Sequence, residues 1–356
     1  MNPDFEKIIE AGSRAPSGDN SQPWLFDIDD NSIVIYNNVN RDSSLYNYNQ
    51  TASLIAIGAC IENMIIAAGH FGYTADLVLF PDLSVSTKVA IINLSAGLTP
   101  VGDLYGHIID RCNNRKAYQG IDLDEGERTA LLGITNNFDG ASLFLVEGRE
   151  SVAKLSEAGG KNEKLVLENY WLHKFLFDQI AWSAESAASS GEGVYVKTLE
   201  MPPPAQLIFK LCSNWKVMKF FNKFHLADLI CQQNTQLYKK TGAYGVVVAR
   251  SDSPRDIVQA GRMIEKVWLS ATKLGLSFNA MAGLVLLAAR IRQGGTEHLT
   301  LAEQEVVRSS YSEIIKIFGI QHGFALFVFR LGHSLPPSAR SYRMPIKRIL
   351  CSSLTE

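Results

Sequence analysis

The spacing of apolar residues predicts an alternation of helices and short strands along most of the chain. Apolar residues three and four apart predict an amphipathic helix over residues 5–12. A long Ala-rich apolar run predicts a core helix over residues 51–71, with Gly72 at its C-terminal end. β-Branched and alternating patterns predict strands at residues 32–36, 75–80, 88–94, 243–249 and 325–331. The pattern indicates an α+β fold.

One helix of this pattern occurs twice. When the chain is shifted by 203 residues, residues 58–73 align with residues 261–276, and five of the sixteen columns are identical. The identical columns are Gly58/Gly261, Ile61/Ile264, Glu62/Glu265, Ala68/Ala271 and Gly72/Gly275. Two unrelated core helices of common composition would also give such a match. We favour a duplication or fusion of one α+β unit.

A segment of different character separates the two copies. Residues 164–188 have helical spacing, and residues 207–230 are strongly amphipathic, with bulky apolar residues between lysines. Its bulky aromatic residues include Trp215, Phe220, Phe221 and Phe224. A helix on a membrane surface would carry this pattern, and that alternative stays open. We favour a flap or packing helix that buries its aromatic residues against a ligand cleft and controls access to it.

Composition narrows the classes of function. Lys and Arg number 34 against 36 Asp and Glu, a net charge of −2, so we expect neither nucleic-acid binding nor stable membrane association. Five scattered cysteines without a CxxC pair and seven dispersed histidines indicate neither a disulfide framework nor a metal site. The N-terminus lacks the basic and apolar regions of a signal peptide, so we expect a cytoplasmic protein.

Three polar segments carry the candidate chemistry. Residues 14–24, Arg-Ala-Pro-Ser-Gly-Asp-Asn-Ser-Gln-Pro-Trp, concentrate hydroxyl, amide and guanidinium groups that suit the polar edge of a flat heterocycle. Residues 107–118 place two arginines four apart around two asparagines, and we predict a helix entry that cradles phosphate. Two more arginines follow the last strand in residues 332–345. Taken singly, these segments fit equally a capping loop, a solvated basic turn and a basic tail.

These segments resemble known motifs. RAPSGDNSQPW is similar to the APSxxNxQPW loop of the nitroreductase superfamily of flavin mononucleotide (FMN) enzymes, and RCNNRKAY resembles that superfamily's RxSxR phosphate-binding motif. The order of the segments along the chain resembles the long, single-chain Acg-like subfamily. The resemblance implies nitroreductase-like antiparallel sheets flanked by helices, with two fused halves forming a pseudo-dimer within one chain. Such a chain would be a monomer or would associate further as a homodimer.

The resemblance also implies which residues bind FMN. The isoalloxazine would be lined by Arg14, Pro16, Ser17, Asn20 and Gln22. The ribityl chain and phosphate would be held by Arg111, Asn113 and Arg115, with Arg340 or Arg343 completing the phosphate site. Asn113 stands where the family motif has Ser, which changes the reach of that contact. Arg14 is the candidate for tuning the redox potential, and one copy of each motif predicts one flavin per chain.

The implied activity is that of an FMN-dependent NAD(P)H oxidoreductase. Hydride or electrons would pass from NADH or NADPH through FMN to a small flat aromatic acceptor, such as a nitroaromatic or a quinone. An alternative is a protein that sequesters FMN beneath a lid and turns over little, and a third is a flavin-free scaffold or lipid-surface protein. The expected divisions are residues 1–110, the first half; 111–160, the phosphate-binding turn and start of the second half; 161–240, the helical insertion; and 241–356, the remainder.

Overall fold

The computed structural model describes residues 2–97 and 103–351. The strands are β1 (Trp24–Asp29), β2 (Ser32–Asn37), β3 (Tyr73–Leu79), β4 (Lys88–Ala96), β5 (Ala141–Val146), β6 (Ile180–Ala181), β7 (Val194–Tyr195), β8 (Ala243–Ala249), β9 (Ser277–Ala280) and β10 (Phe324–Gly332). The helices are α1 (Pro3–Ser13), α2 (Thr51–His70), α3 (Tyr105–Ile108), α4 (Glu125–Leu132), α5 (Arg149–Glu168), α6 (Tyr170–Asp178), α7 (Ala184–Ser190), α8 (Pro203–Leu211), α9 (Trp215–Asn222), α10 (Leu226–Tyr238), α11 (Pro254–Lys273), α12 (Gly283–Arg292) and α13 (Leu301–Phe318).

Two antiparallel sheets of the same topology form the framework of these residues. The first has the strand order β1-β2-β4-β3 and the second the order β5-β8-β10-β9. In each sheet a 20-residue helix connects the second strand to the third in sequence, α2 in the first and α11 in the second. Replacing β1, β2, β3 and β4 by β5, β8, β9 and β10 converts one strand order into the other. The prediction of two fused α+β halves is confirmed.

The two halves meet where α2 crosses α11. A Cβ atom added at Gly58 would lie 2.2 Å from the carbonyl oxygen of Val258, and one added at Gly261 would lie 2.1 Å from that of Ile55. Ile55 and Val258 are themselves 203 residues apart, so the contact is reciprocal, as at an interface between identical subunits. Only glycine lets two helix backbones approach this closely. The repeat seen in the sequence therefore corresponds to a local pseudo-twofold axis that relates α2 to α11.

The centre of the molecule is apolar around this crossing. Helix α2 lies within the one described helical segment that is long and apolar enough to span a membrane, and 89% of the residues in its most apolar window are buried inside the protein. Burial within the protein explains its composition. The predictions of helices at 5–12 and 51–71 and of strands at 32–36, 75–80, 88–94, 243–249 and 325–331 are confirmed by α1, α2, β2, β3, β4, β8 and β10.

The predicted helix entry at residues 107–118 is wrong. Helix α3 ends at Ile108, and the chain from Arg111 onward is extended. Asn113 forms a parallel bridge with Phe278 of β9, and the Asn114 amide donates to the Phe278 carbonyl oxygen at 2.8 Å. Pairing with a strand far along the chain thus overrides the local spacing of the arginines.

The insertion between β5 and β8 is largely helical and has an apolar core of its own, built around residues such as Phe177, Tyr195 and Met218. The amphipathic stretch predicted over 207–230 is divided among α8, α9 and α10. A new helix begins at Trp215 because the Asn214 side chain caps it, accepting from two backbone amides. The boundaries of the four divisions drawn from the sequence stay predictions.

The expectation that the aromatic residues of this stretch are buried against a cleft is wrong for its phenylalanines. Phe220 is 54% exposed, Phe221 38% and Phe224 69%. Met218 is the residue of α9 that points into the insertion core, with 0% exposure. The amphipathic stretch packs on α5 and α6, where Asn222 donates to the Leu167 carbonyl oxygen at 2.8 Å.

Candidate functional site

The loop of residues 14–24 is tightly curled. Asp19, Asn20 and Gln22 have φ angles of 45°, 61° and 50°, a conformation that is uncommon for residues other than glycine. The Ser17 Oγ stabilises the curl by accepting from the Gln22 backbone amide at 2.9 Å. Three left-handed residues within four positions mark a backbone held in place by its surroundings, as is frequent at functional sites.

The amide side chains of this loop hold other segments against it. Asn20 Nδ2 donates to the carbonyl oxygens of Gly191 and Tyr342, at 3.2 and 3.0 Å. Gln22 is fully buried; its Nε2 donates to the Gly191 carbonyl oxygen at 2.8 Å, and its Oε1 accepts from the Met344 amide at 3.0 Å. The insertion and the C-terminal segment are thus fastened to the N-terminal loop. Direct ligand contacts by Pro16, Ser17, Asn20 and Gln22 stay predictions.

Arg343 and Arg111 converge on the C-terminal end of α1. Arg343 donates to the carbonyl oxygens of Ser13, Arg14 and Ala15 at 3.1–3.2 Å. Arg111 Nη2 donates to the same Arg14 oxygen at 2.6 Å. A helix C-terminus carries partial negative charge and unpaired carbonyl groups, so both guanidinium groups complete the end of this helix.

These arginines share one interior carboxylate among the described residues, that of Glu265. Arg111 Nε lies 3.0 Å from Glu265 Oε1 and both side chains are almost fully buried, but the angle is poor for a hydrogen bond, so the contact is an ion pair. Burial raises the pKa of Glu265 to about 7, against the opposing effect of Arg111. Burial, followed by repulsion from Arg111 and Arg14, lowers the pKa of Arg343 to about 9. The cluster therefore has an excess of positive charge.

A cavity opens beside this cluster. It has a volume of about 580 Å³ and is lined by residues that include Arg14, Arg340 and Arg343. The side chains of Arg14 and Arg340 are 39% and 49% exposed. Arg340 Nη1 donates to the Ile109 carbonyl oxygen at 2.6 Å and lies 3.6 Å from Asp110. Three of the predicted site arginines thus line one cavity.

Arg115 lies in a second, separate cluster. Its Nη1 donates to the Thr198 carbonyl oxygen at 3.1 Å, and burial lowers its pKa against the opposing charges of residues that include Asp19 and Glu163. Burial, together with the nearby Asp42, raises the pKa of Asp19 to about 6, while Arg115 lowers it. Burial also raises the pKa of Glu163. Arg111 and Arg115 share no hydrogen-bond or ion-pair partner among the described residues.

Asn113 lies between Arg111 and Arg115 in the sequence and fixes the segment that carries them to β9. Its Oδ1 accepts from the Ala280 backbone amide at 2.8 Å and from Asn279 Nδ2 at 3.1 Å. The Asn279 Oδ1 in turn accepts from Arg330 Nε at 2.9 Å. Asn113 therefore positions the backbone that carries Arg111 and Arg115.

Two of the buried polar atoms that lack a hydrogen-bond partner within the described part of the chain belong to Arg330 and Asn162. Arg330 is fully buried and its guanidinium lies 4.0 Å above the Tyr118 ring, yet its Nη1 donates to no acceptor. Asn162 Oδ1, on α5, is buried and accepts from no donor. Unpaired buried groups are costly and are rare without a ligand or water. A donor and an acceptor are thus free for a polar ligand.

Four residues of these clusters were missed in the sequence: Asp19, Glu163, Glu265 and Arg330. Asp19 lies within the loop motif, and Glu265 occupies an identical column of the internal repeat with Glu62, so both carried a local signal. Glu163 and Arg330 carried none, because only long-range packing brings them beside Arg115 and Tyr118.

Comparisons with known proteins give partial matches. No family model matches this chain. The uncharacterized protein MT1398 of Mycobacterium tuberculosis is 22% identical over 346 residues, 96% of this chain and 47% of that protein. The "Putative NAD(P)H nitroreductase acg" of the same species is 28% identical over 93 residues, 26% of this chain and 28% of that protein. The chain thus spans about half of the length of the first relative.

Solved structures with partial likeness include a nitroreductase with bound FMN from Desulfitobacterium hafniense, 13% identical, with 69% of this chain and 96% of that chain covered and a TM-score of 0.37. The nitroreductase NfnB of Mycobacterium smegmatis, solved with NADPH, is 14% identical, with coverages of 68% and 94% and a TM-score of 0.37. The sequence match to the acg protein confirms the resemblance to the nitroreductase superfamily.

Proposed function

We propose that this protein binds FMN and acts as an NAD(P)H-dependent oxidoreductase. The observation that carries the proposal is the excess of guanidinium groups around Glu265 and the adjoining cavity, with Arg14, Arg340 and Arg343 at its wall. A phosphate dianion would balance this charge, and guanidinium groups bind phosphate through paired, charge-assisted hydrogen bonds. The name of the acg relative supports the same assignment.

The two kinds of arginine would have different roles toward phosphate. Arg14 and Arg340 are half-exposed and can direct donors into the cavity. Arg111 and Arg343 are already engaged by carbonyl oxygens of α1, so they would contribute charge and hold the wall in place. Of the two alternatives, Arg340 and Arg343, Arg340 would therefore contact the phosphate directly.

The second cluster fits the polar edge of the isoalloxazine. The unpaired Arg330 Nη1 and Asn162 Oδ1 supply a donor and an acceptor, the two kinds of group that a pyrimidine edge requires. When bound, FMN would supply hydride transfer between a reduced nicotinamide and a small flat acceptor. The buried Arg115 guanidinium would favour the extra negative charge of the reduced state, the role that the sequence suggested for Arg14. Asp19, with a pKa raised to about 6 by burial, would exchange a proton with its surroundings just below neutral pH.

One observation favours the alternative, a protein that sequesters FMN and turns over little. The Asn20 and Gln22 amides fasten Gly191 of the insertion over the loop through buried hydrogen bonds. Admission of a nicotinamide beside the loop would require some of these bonds to break. A flavin enclosed in this way would be retained and would be reduced slowly.

The test begins with the absorption spectrum of the purified protein before and after incubation with FMN and removal of the excess. We expect flavin bands and bleaching by NADH or NADPH under anaerobic conditions; retained flavin without bleaching would identify the sequestering protein.

Arg340→Ala should weaken FMN binding by about 10- to 150-fold, from loss of roughly 1.5–3 kcal/mol of charge-assisted bonding. Arg128→Ala is the matched control, since Arg128 is 37% exposed and paired with Glu147.

Equal FMN affinity in the two variants would place the phosphate elsewhere, and a protein that takes up no FMN would refute the proposal. Arg111→Ala is a poorer test, because it leaves Glu265 buried without its partner and destabilises the fold as well.

A further inference from the structure

Helix α8 packs Phe209 against Phe177 of the insertion core but leaves its other bulky apolar residues exposed. None of its nine described residues is buried, and Leu207, Ile208 and Leu211 are 64%, 52% and 57% exposed. Helices of soluble proteins normally form because an apolar face packs against the rest of the molecule. Contacts among the described residues therefore leave Leu207, Ile208 and Leu211 largely exposed.

The neighbouring helix α9 extends the same exposed surface. The rings of Phe220 and Phe224 lie 5.3 Å apart, and that of Phe221 lies 5.7 Å from Phe220. Tyr170 and Trp171 of α6 are 41% and 46% exposed. They border α9 through the Tyr170 ring, which lies 5.5 Å from that of Trp215. An exposed group of apolar and aromatic side chains on a monomer usually marks an interaction site.

The charge of this surface indicates which kind of partner it can bind. Residues 201–227 contain four lysines and no Asp or Glu. The lysines are Lys210, Lys216, Lys219 and Lys223, all exposed. A second copy of the chain would bring the same lysines against one another in a symmetric contact. An anionic bilayer instead offers negative headgroups to the lysines and an acyl boundary to the apolar residues.

We propose that α8 and α9, with Tyr170 and Trp171 at their border, form a docking surface for an anionic phospholipid membrane. Leu207, Ile208, Phe220 and Phe224 enter the interfacial region, the lysines stay at the headgroups, and the tyrosine and tryptophan lie at the level that these side chains prefer in bilayers. The attachment is peripheral and reversible. This proposal revises the expectation, drawn from the net charge, that the protein does not associate stably with membranes. The whole chain is nearly neutral, but these lysines are concentrated on one segment.

The test is sedimentation of the full-length protein with vesicles of phosphatidylcholine alone and of phosphatidylcholine with phosphatidylglycerol. We expect binding only to the anionic vesicles and release at high salt. K216Q/K219Q/K223Q should lower the partition coefficient by about fivefold for each lysine removed, and F220S/F224S should also abolish most of the binding. All five side chains are exposed, so the variants should fold, which circular dichroism checks.

K154Q/K273Q/K316Q is the matched control, since these lysines are exposed on α5, α11 and α13, and it should bind as the unaltered protein does. Absence of binding to anionic vesicles would overturn the proposal, as would binding that all three variants retain. A dimer in sedimentation equilibrium that F220S/F224S dissociates would also overturn it and assign the surface to a second copy of the chain. Flavin content plays no part in this readout, so the result is independent of the proposed function.

Discussion

The buried Glu265 gives a sharp prediction about stability and pH. Its pKa of about 7 lies about 2.5 above the ordinary value of 4.5, and one pKa unit corresponds to about 1.4 kcal/mol. The folded protein therefore binds this proton more tightly than the unfolded chain does. Between pH 4.5 and pH 7 the contribution of Glu265 to stability falls as the pH rises, and above pH 7 its ionisation costs the fold about 3 kcal/mol.

Glu265→Gln removes this dependence. The attraction of Arg111 is already included in the pKa, so loss of the ion pair does not reverse the sign. Near pH 4.5 the variant and the unaltered protein should differ only by the small effect of exchanging a carboxyl group for an amide. The free energy of unfolding of the variant, relative to the unaltered protein, should rise by up to about 1.4 kcal/mol per pH unit and reach about 3 kcal/mol by pH 8.

Urea denaturation followed by tryptophan fluorescence at several pH values between 4.5 and 8 measures this difference. Glu62→Gln is the control, because Glu62 is the pseudo-symmetric counterpart of Glu265. Its buried carboxylate pairs with two cations, Arg262 at 3.1 Å and Lys266 at 3.3 Å, whereas Glu265, among the described residues, pairs with Arg111 alone. Loss of a carboxylate that two cations hold should cost about 3–5 kcal/mol. The two variants should thus have opposite signs at pH 8. A Glu265→Gln difference that does not change with pH would refute the reasoning.

Three further predictions concern the cofactor and the fold. FMN titration should saturate at one flavin per chain, because each motif occurs once; two would contradict the single pseudo-dimer site. Gly261→Ala should lower the melting temperature sharply, since its Cβ would lie 2.1 Å from the Ile55 carbonyl oxygen, whereas Gly106→Ala, with no atom within 4 Å, should not. Gln22→Ala should cost about 1–3 kcal/mol by leaving buried partners unpaired and should speed proteolysis near Gly191, which its side chain holds; unchanged cleavage would show that other contacts fasten the insertion.

The sequence by itself determined helices α1, α2 and α11, five of the strands and the duplication. Periodicity reports which face of a helix or strand is buried, and that is a local property. The identical glycine columns were informative because close backbone approach excludes every other residue, and the structure places Gly58 and Gly261 at the crossing of α2 and α11. The N-terminal loop also stood out locally, because few loops combine so many hydrogen-bonding side chains.

Only the tertiary structure decided where the polar groups point. Arg111 and Arg115 are four residues apart, but their segment pairs with β9, so one reaches Glu265 and the other lies near Asp19 and Glu163. The same applies to the phenylalanines of α9, whose amphipathic spacing is equally compatible with burial in a cleft and with exposure. Spacing fixes the neighbours of a side chain within its own element. Segments distant in the sequence decide what that side chain meets, because burial and charge depend on everything packed around it.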